Sequence, residues 1–161
     1  MNFERIDRVL LLVSDFDKAR AFFADLFDLE YGYIIEDKET QIRIVHDAAD
    51  FGLELASPMN DSTPLAAMDS EFLKKTGGGI RTVVIKVGNL EAALERFKAR
   101  GIEPTACMIH GRHKEAFFDP KDTFGLPICL NEYPHFHPAA TLGIEYLRTH
   151  GDGKVKITKA E

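Results

Sequence analysis

The sequence predicts an α+β domain built from two tandem β-α-β-β-β modules that share a concave cleft. The first observation behind this prediction is an internal repeat: residues 6–23 read IDRVLLLVSDFDKARAFF, and residues 80–97 read IRTVVIKVGNLEAALERF. The alignment places Ile6 opposite Ile80 and Phe23 opposite Phe97. The second observation is that both copies change from a period of two to helical spacing, which predicts a strand that runs into a helix.

Each copy begins with a strand and continues as a helix. In the first copy, Val9 and Val13 belong to the alternating strand, and Asp15 is placed to cap the first turn of the helix. Asn89 holds the matching cap position in the second copy, and Gly101 can end that helix. The apolar residues of the first helix are expected to face the core. Among them are Phe22, Phe23 and Phe27.

Three further strands are expected after each helix. They cover residues 31–36, 41–46 and 52–56 in the first copy, and residues 105–110, 115–118 and 126–131 in the second. One domain, residues 1–161, therefore contains module 1 at about 5–57, a linker at 58–79, module 2 at about 80–132 and an extension at 133–161. The linker is expected to form a short helix near residues 67–75 and then a flexible glycine run. The extension either covers the cleft or forms a subunit contact.

Composition and charge exclude several classes of protein. The 161 residues are 45% hydrophobic and 29% charged, which is typical of a soluble globular domain. The net charge of −6 argues against nucleic acid or an anionic membrane as a partner. No apolar run is long enough to span a bilayer, and the N-terminus lacks a signal-peptide pattern, so a cytoplasmic location is expected. Cys107 and Cys129 are expected to be reduced thiols.

Several stretches of the sequence resemble one known family. Residues 71–87 (EFLKKTGGGIRTVVIKV), 87–94 (VGNLEAAL) and 117–120 (FFDP) are similar to methylmalonyl-CoA epimerases, which belong to the vicinal oxygen chelate superfamily of glyoxalases, bleomycin-resistance proteins and dioxygenases. The resemblance covers about residues 5–132. It implies the paired-module fold and a small-molecule ligand in the cleft. It also implies a homodimer, because this fold commonly dimerises.

The resemblance further implies a divalent-metal site, with one histidine from the first strand and one glutamate from the last strand of each module. Carried over residue by residue, the first histidine position falls on Arg8 and its counterpart in module 2 falls on Thr82. The first glutamate is kept as Glu54, and the second position falls on Cys129. A guanidinium cannot bind a cation, and threonine is a poor ligand for these metals. We therefore expect no metal and no other cofactor.

Arg8 and Glu54 are the predicted catalytic residues at the floor of the cleft. Arg8 either grips the polar end of a ligand with its planar set of donors or only compensates the charge of Glu54. Strand parity predicts further cleft-facing side chains that make the pocket largely apolar. They are Leu10, Leu12, Thr82, Val84 and Cys129.

The histidines are additional candidates. His110 and His113 flank a polar turn beside the cleft, where they are predicted to bind ligand or to transfer a proton, with an unusual metal pair or solvated side chains as the alternatives. His135 and His137 form an H-x-H pair in the extension, a spacing that suits a metal pair as well as an extended tail. Cys129 is predicted to be a small buried thiol rather than a nucleophile.

Three functions remain open from the sequence. The first is an epimerase-like isomerase or lyase that acts on a small carbonyl, carboxylate or acyl-thioester compound without the metal, with Glu54 or a nearby histidine as the base. The second is a binding protein of the sequestration or resistance type. The third is a catalytically silent scaffold. One fold hosts many functions, so the resemblance predicts the fold more strongly than the reaction.

Overall fold

Strands and helices follow each other in the order that the repeat predicts. The computed structural model describes residues 3–48, 52–110, 112–134, 148 and 153–160. The helices are α1 (Phe16–Phe27), α2 (Pro64–Thr76) and α3 (Leu90–Lys98), and Pro120–Thr123 forms a 3-10 turn. The strands are β1 (Phe3–Val13), β2 (Tyr31–Asp37), β3 (Ile42–Asp47), β4 (Leu53–Pro58), β5 (Gly78–Val87), β6 (Ala106–His110), β7 (His113–Phe117), β8 (Ile128–Glu132) and β9 (Val155–Lys159). The predicted α+β class with two β-α-β-β-β modules is confirmed.

The two modules join through their first strands. β1 pairs antiparallel with β5, and it places Arg8 opposite Val84 and Leu10 opposite Thr82. β1 also pairs in parallel with β4, as β5 does with β8. The described strands therefore form one sheet in the order β6-β7-β8-β5-β1-β4-β3-β2-β9, in which both modules have the same internal order. The superposition of Ile6 on Ile80 stays a prediction.

The helices that follow β1 and β5 are capped as the sequence predicts. The side chain of Asp15 accepts a hydrogen bond from the backbone N–H of Lys18 at 3.1 Å, and Asn89 accepts one from Ala92 at 2.7 Å. Both helices pack on one face of the sheet. α1 covers a core cluster around Phe16, Tyr31, Val45 and Leu55, and α3 covers a second cluster around Val87, Ala116, Phe118 and Leu130.

The prediction that the phenylalanines of α1 are core was wrong for two of them. Phe22 is 58% exposed and Phe27 is 48% exposed, whereas Phe23 packs against the core cluster. Helical spacing makes a wide apolar stripe here, and only its inner edge reaches the sheet. The outer edge of that stripe is an apolar surface on α1.

α2 lies on the opposite face of the sheet from α1 and α3. It packs its side chains Ala66 and Phe72 against Leu12, Ile42 and Ala56. This helix is longer than the predicted 67–75, because Thr63 caps it and Pro64 begins it. The glycine run after it is not a flexible exit, because Gly77 caps α2 and the next two glycines begin β5. Part of the C-terminal extension, whose role the sequence left undecided, adds β9 beside β2.

Candidate functional site

The sheet face that carries α2 also carries a cavity with a volume of about 110 Å³. Its floor is the centre of the sheet, and α2 closes one side. Charged groups lie on the floor and at the α2 side, and apolar side chains make the walls between them. The lining residues are Arg8, Leu10, Ile35, Asp37, Thr40, Ile42, Ile44, Glu54, Ala56, Leu65, Asp69, Arg81, Thr82, Val84, Met108, His113, Glu115 and Phe117.

Arg8 is the centre of the polar floor. Its Nε donates a hydrogen bond to Glu54, its Nη1 donates to Asp7 at 2.9 Å, and its Nη2 donates to Glu115 at 3.0 Å. Arg8 is 3% exposed and Glu54 is 2% exposed, so the pair is shielded from solvent. Burial lowers the pKa of Arg8. The carboxylates of Glu54, Glu115 and Asp7 raise it by more than burial lowers it, so the net pKa lies above its ordinary value. The guanidinium is therefore a fixed cation held by carboxylates.

Glu115 connects Arg8 to His113. One carboxylate oxygen of Glu115 lies 3.0 Å from Arg8 Nη2 and 3.4 Å from His113 Nε2, and it accepts a hydrogen bond from Asn131 at 3.1 Å. Burial raises the pKa of Glu115, but His113 and then Arg8 lower it more, to about 2. Glu115 is therefore a stable anion rather than a proton acceptor near neutral pH.

Asp7 supports Arg8 from the side away from the cavity. Its carboxylate accepts hydrogen bonds from the Tyr133 hydroxyl at 2.7 Å and from Arg5 Nε at 3.0 Å, in addition to Arg8 Nη1. Burial raises the pKa of Asp7, while Arg8, Tyr133 and Arg5 lower it, with a net lowering. The side chain of Asp7 is almost fully buried and that of Arg5 is about half exposed, so Arg5 joins this network from the solvent side.

A second polar group lies at the α2 side of the cavity. Arg81 Nε donates to Asp69 of α2 at 2.7 Å, and Arg81 Nη2 lies 3.9 Å from the sulfur of Met68. Between the pairs Leu10–Thr82 and Leu11–Ile80, the register of β1 with β5 slips by one residue, and Arg81 is the extra residue. A β-bulge re-aims the side chain that it inserts. Both Arg81 and its neighbour Thr82 therefore line the cavity, which strict alternation forbids.

Comparison with known proteins gives the family. A sequence model of the Glyoxalase/Bleomycin resistance protein/Dioxygenase superfamily matches residues 5–130. The chain belongs to this superfamily. The mitochondrial methylmalonyl-CoA epimerase of Bos taurus is 29% identical over 137 residues, which make up 81% of this chain and 75% of the relative. The Homo sapiens protein of the same name is 27% identical with the same coverage. The resemblance stated from the sequence is confirmed.

Solved structures of methylmalonyl-CoA epimerases have the same fold as this superfamily member. The Mycobacterium tuberculosis enzyme has a TM-score of 0.69 and 24% identity, over 82% of this chain and 89% of that chain. A single-substitution variant of the Streptomyces coelicolor enzyme, in complex with 2-nitronate-propionyl-CoA, has a TM-score of 0.69 and 18% identity, over 81% of this chain and 98% of that chain. These likenesses support the shared architecture.

The donor set does not fit the divalent ion that the superfamily implies. Of the four ligand positions that the resemblance implies, one is occupied by Arg8 and another by Glu54. The guanidinium of Arg8 donates a hydrogen bond to the carboxylate of Glu54. The Thr82 hydroxyl donates to the carbonyl of Pro127 at 3.0 Å. Burial is the largest cause that holds the pKa of Cys129 well above its ordinary value, which disfavours the thiolate that binds metals. Within the described ranges, no group of three or more His, Cys, Asp or Glu side chains is arranged to hold a metal ion.

The structure brings together most of the side chains predicted for the cleft. Arg8, Leu10, Glu54, Thr82, Val84 and His113 line the cavity. Cys129 is fully buried beside Glu115, with its sulfur 3.9 Å from the carboxylate, and is not among the lining residues. Leu12 has the predicted parity but is covered by α2. The side chain of His110 and the residues His135 and His137 lie outside the described part.

Sequence reasoning missed Glu115, Asp69 and Arg81. Glu115 begins a predicted strand next to the cleft, so a charged residue at that point was a usable signal. Arg81 gave no such signal. In a regular strand, its parity places the side chain on the sheet face that α1 and α3 cover, and only a bulge turns it to the face that carries α2. No helix among the described residues is long and apolar enough to cross a membrane.

Proposed function

We propose that this chain binds a small carbonyl or carboxylate compound, as its acyl thioester, with Arg8 in the place that the superfamily gives to a divalent metal. The observation that carries the proposal is the guanidinium of Arg8 on the floor of an apolar cavity, held by Asp7, Glu54 and Glu115. Its second Nη1–H and second Nη2–H donate to no group within the described residues. They are free to bind a carbonyl oxygen.

This arrangement suits proton transfer next to a carbonyl group. When a base removes the proton from the carbon beside a thioester carbonyl, negative charge develops on the carbonyl oxygen. Preorganised donors that meet this charge stabilise the transition state, and the loss of one such donor typically costs about 10²–10³ in rate. Arg8 takes this role. Glu54 acts as a positioning residue, because its carboxylate accepts a hydrogen bond from Arg8 Nε and so orients the guanidinium.

His113 is the proposed proton-transfer group. It lines the cavity, and its Nε2 lies 3.4 Å from Glu115. Glu54 and Glu115 are both committed to Arg8, and the pKa of Glu115, lowered chiefly by His113, is about 2. The imidazole removes the proton from the α-carbon, and the planar enolate then takes up a proton from solvent on its opposite face, so that the product is the epimer of the substrate.

Acyl thioesters are supported as the ligand class by the relatives and by the size of the cavity. The relatives named methylmalonyl-CoA epimerase match 81% of this chain, and solved neighbours are complexes with methylmalonyl-CoA and with 2-nitronate-propionyl-CoA. A cavity of about 150 Å³ accommodates benzene. The cavity here, about 110 Å³, fits a small acyl group, and the carrier must extend from its mouth.

The test is deuterium uptake at the α-carbon of methylmalonyl-CoA in D₂O, followed by NMR with EDTA-treated protein. We expect exchange without added metal, and a loss of about 10²–10³ in Arg8→Lys, because lysine lacks the planar fork. Arg96→Lys, at an exposed position on α3, is the matched control. Wild-type protein that neither exchanges nor binds this compound would refute the proposal, as would exchange that requires a divalent metal.

The second candidate is binding without catalysis. The observation that favours it is that both carboxylates on the cavity floor are already ion-paired with Arg8, so neither is available as a base. His113→Gln separates the two functions. Binding and exchange in wild type with only binding in the variant supports catalysis, whereas equal binding without exchange in both proteins supports sequestration.

We also propose that the protein is a homodimer, as the superfamily resemblance implies. The exposed apolar side chains Phe22, Leu26 and Phe27 on α1 support a subunit contact. Analytical ultracentrifugation of the full chain at micromolar concentration tests this proposal. A species of monomer mass throughout the concentration series contradicts it.

A further inference from the structure

We propose that Arg81 is a specificity-determining residue that binds a carboxylate on the acyl group of the ligand. This inference rests on the proposed function and narrows it: the compound carries a thioester carbonyl for Arg8 and a separate carboxylate for Arg81. The two arginines line the same cavity, one on its floor and the other at its α2 side.

The bulge in β5 is the first step of the argument. Arg81 is the residue that the register shift leaves unpaired, between Ile80 opposite Leu11 and Thr82 opposite Leu10. A regular strand directs a side chain at this position to the face covered by α1 and α3. The bulge instead turns Arg81 into the cavity, and bulges are over-represented next to active sites.

The free hydrogen-bonding capacity of Arg81 is the second step. Its Nε is bound to Asp69 at 2.7 Å, which fixes the side chain from one edge. Within the part of the chain that the structure describes, its Nη1 donates to no group, and its Nη2 contacts only the sulfur of Met68. The side chain of Arg81 is 24% exposed and lines the cavity, so a ligand can reach it.

Charge distinguishes the two arginines as binding groups. Arg8 already binds three carboxylates through Nε, Nη1 and Nη2, so it has no edge of its guanidinium free to bind a ligand carboxylate through two hydrogen bonds. Arg81 contacts one, and its Nη1 edge points away from the bond with Asp69. Burial raises the pKa of Asp69, although Arg81 lowers it in part. The carboxylate of a bound acyl group is therefore better accommodated at Arg81 than at Arg8.

The apolar walls between these two poles fit the rest of the acyl group. Leu10, Ile42, Ala56 and Leu65 lie on the α2 side of the sheet and contribute no hydrogen-bonding side chain. A ligand with a polar group at each end and a short aliphatic part between them matches this distribution. Ligands that lack the second polar group leave Arg81 paired with Asp69 alone.

The experiment compares two thioesters that differ by one carboxylate. Methylmalonyl-CoA and propionyl-CoA are titrated calorimetrically into wild-type protein, Arg81→Met and Arg81→Lys. One charge-assisted hydrogen bond contributes about 1.5–3 kcal/mol, so wild type should prefer methylmalonyl-CoA by about 10- to 100-fold. Arg81→Met should reduce that preference to about threefold or less, because methylmalonyl-CoA loses much more affinity than propionyl-CoA does. Arg81→Lys should keep part of the preference.

Binding of propionyl-CoA by Arg81→Met, together with a circular dichroism spectrum like that of wild type, shows that the variant is folded. The matched control is Arg96→Met on the exposed side of α3, which should leave both affinities as in wild type. The N-acetylcysteamine thioester of propionate lacks the phosphates of coenzyme A. If Arg81→Met weakens propionyl-CoA but not this shorter thioester, Arg81 binds phosphate, and the carboxylate proposal is wrong.

The remaining outcomes separate this inference from the proposed function. Equal binding of methylmalonyl-CoA and propionyl-CoA by wild type refutes the role of Arg81 and leaves acyl-thioester binding intact. If Arg81→Met still prefers methylmalonyl-CoA as wild type does, the role of Arg81 is only to connect β5 to α2 through its ion pair with Asp69. If wild type binds neither compound, the proposed function fails, and this inference fails with it.

Discussion

Replacement of Arg8 by methionine tests whether the buried cation holds the centre of the sheet together. The variant keeps an unbranched side chain but removes the partner of Asp7, Glu54 and Glu115. Loss of one partner from a buried ion pair typically costs about 3–5 kcal/mol, because the remaining charge is left uncompensated. A domain of this size loses about 2–4 °C in Tm for each kcal/mol, so we expect a decrease of roughly 6–20 °C at neutral pH.

The pH dependence of this loss gives a sharper test. In wild type the pKa of Glu115 is about 2, held down by His113 and Arg8 against the effect of burial. A carboxyl whose folded pKa is lowered adds stability above its unfolded pKa, and that stability is lost as the pH falls through the folded pKa. Without Arg8, burial acts with less opposition, and the pKa values of Glu115 and Asp7 rise. The difference in unfolding free energy between wild type and Arg8→Met should therefore shrink from pH 7 to about pH 3.

Arg5→Met is the matched control, since Arg5 contacts the same Asp7 from a side chain that is about half exposed. Exposed ion pairs contribute about 0–1 kcal/mol, so this variant should melt within a few degrees of wild type. Urea unfolding at several pH values measures all three proteins. If Arg8→Met is as stable as Arg5→Met, or if its deficit is the same at pH 7 and pH 3, the ion-paired floor does not stabilise the fold.

The other predictions concern metal binding, thiol reactivity and two glycines. Protein incubated with Zn²⁺, Ni²⁺, Co²⁺ or Mn²⁺ and desalted should hold no stoichiometric ion at the positions of Arg8, Glu54, Thr82 and Cys129; a bound ion that is lost in Glu54→Gln contradicts this expectation. A thiol reagent at neutral pH should modify the exposed Cys107 in native protein and Cys129 only after unfolding, since Cys129 is buried and burial raises its pKa; fast modification of both overturns it. Gly78→Ala should destabilise more than Gly79→Ala, although both have positive φ, because only at Gly78 does a new Cβ come within 2.9 Å of a backbone carbonyl oxygen. Equal melting temperatures for the two glycine variants refute the steric argument.

The repeat predicts most of the fold because it combines local signals that agree. Alternation in β1 and β5, and caps at Asp15 and Asn89, each specify an element from a few neighbouring residues. The errors arise where tertiary contacts decide. Phe22 and Phe27 have helical spacing, yet they lie on the part of α1 that does not contact the sheet and are exposed. Gly78 reads as flexible in isolation, but strand pairing with β1 fixes it.

The site was predictable where strand parity applied and not where the backbone departs from it. Parity places Arg8, Thr82 and Val84 in the cavity because the pairing of β1 with β5 is regular from Arg8–Val84 to Leu10–Thr82. Arg81 escaped prediction because a bulge is a property of two paired strands, and one strand's sequence does not determine its partner's register. The carboxylate that completes the floor, Glu115, comes from β7, whereas the family pattern directs attention to the last strand of each module.

The proposed replacement of a metal ion by Arg8 changes what the site can do. A guanidinium carries a single delocalised charge, so it polarises a carbonyl group less strongly than a divalent ion at the same place. It is also permanent: carboxylate contacts raise the pKa of Arg8 above its ordinary value despite burial, and no chelator or competing metal can remove it. A weaker electrophile leaves a larger share of any rate to the proton-transfer group and to ligand positioning. Under the proposed function, proton exchange therefore depends heavily on His113, and its replacement should leave a protein that binds the thioester without exchanging its α-proton.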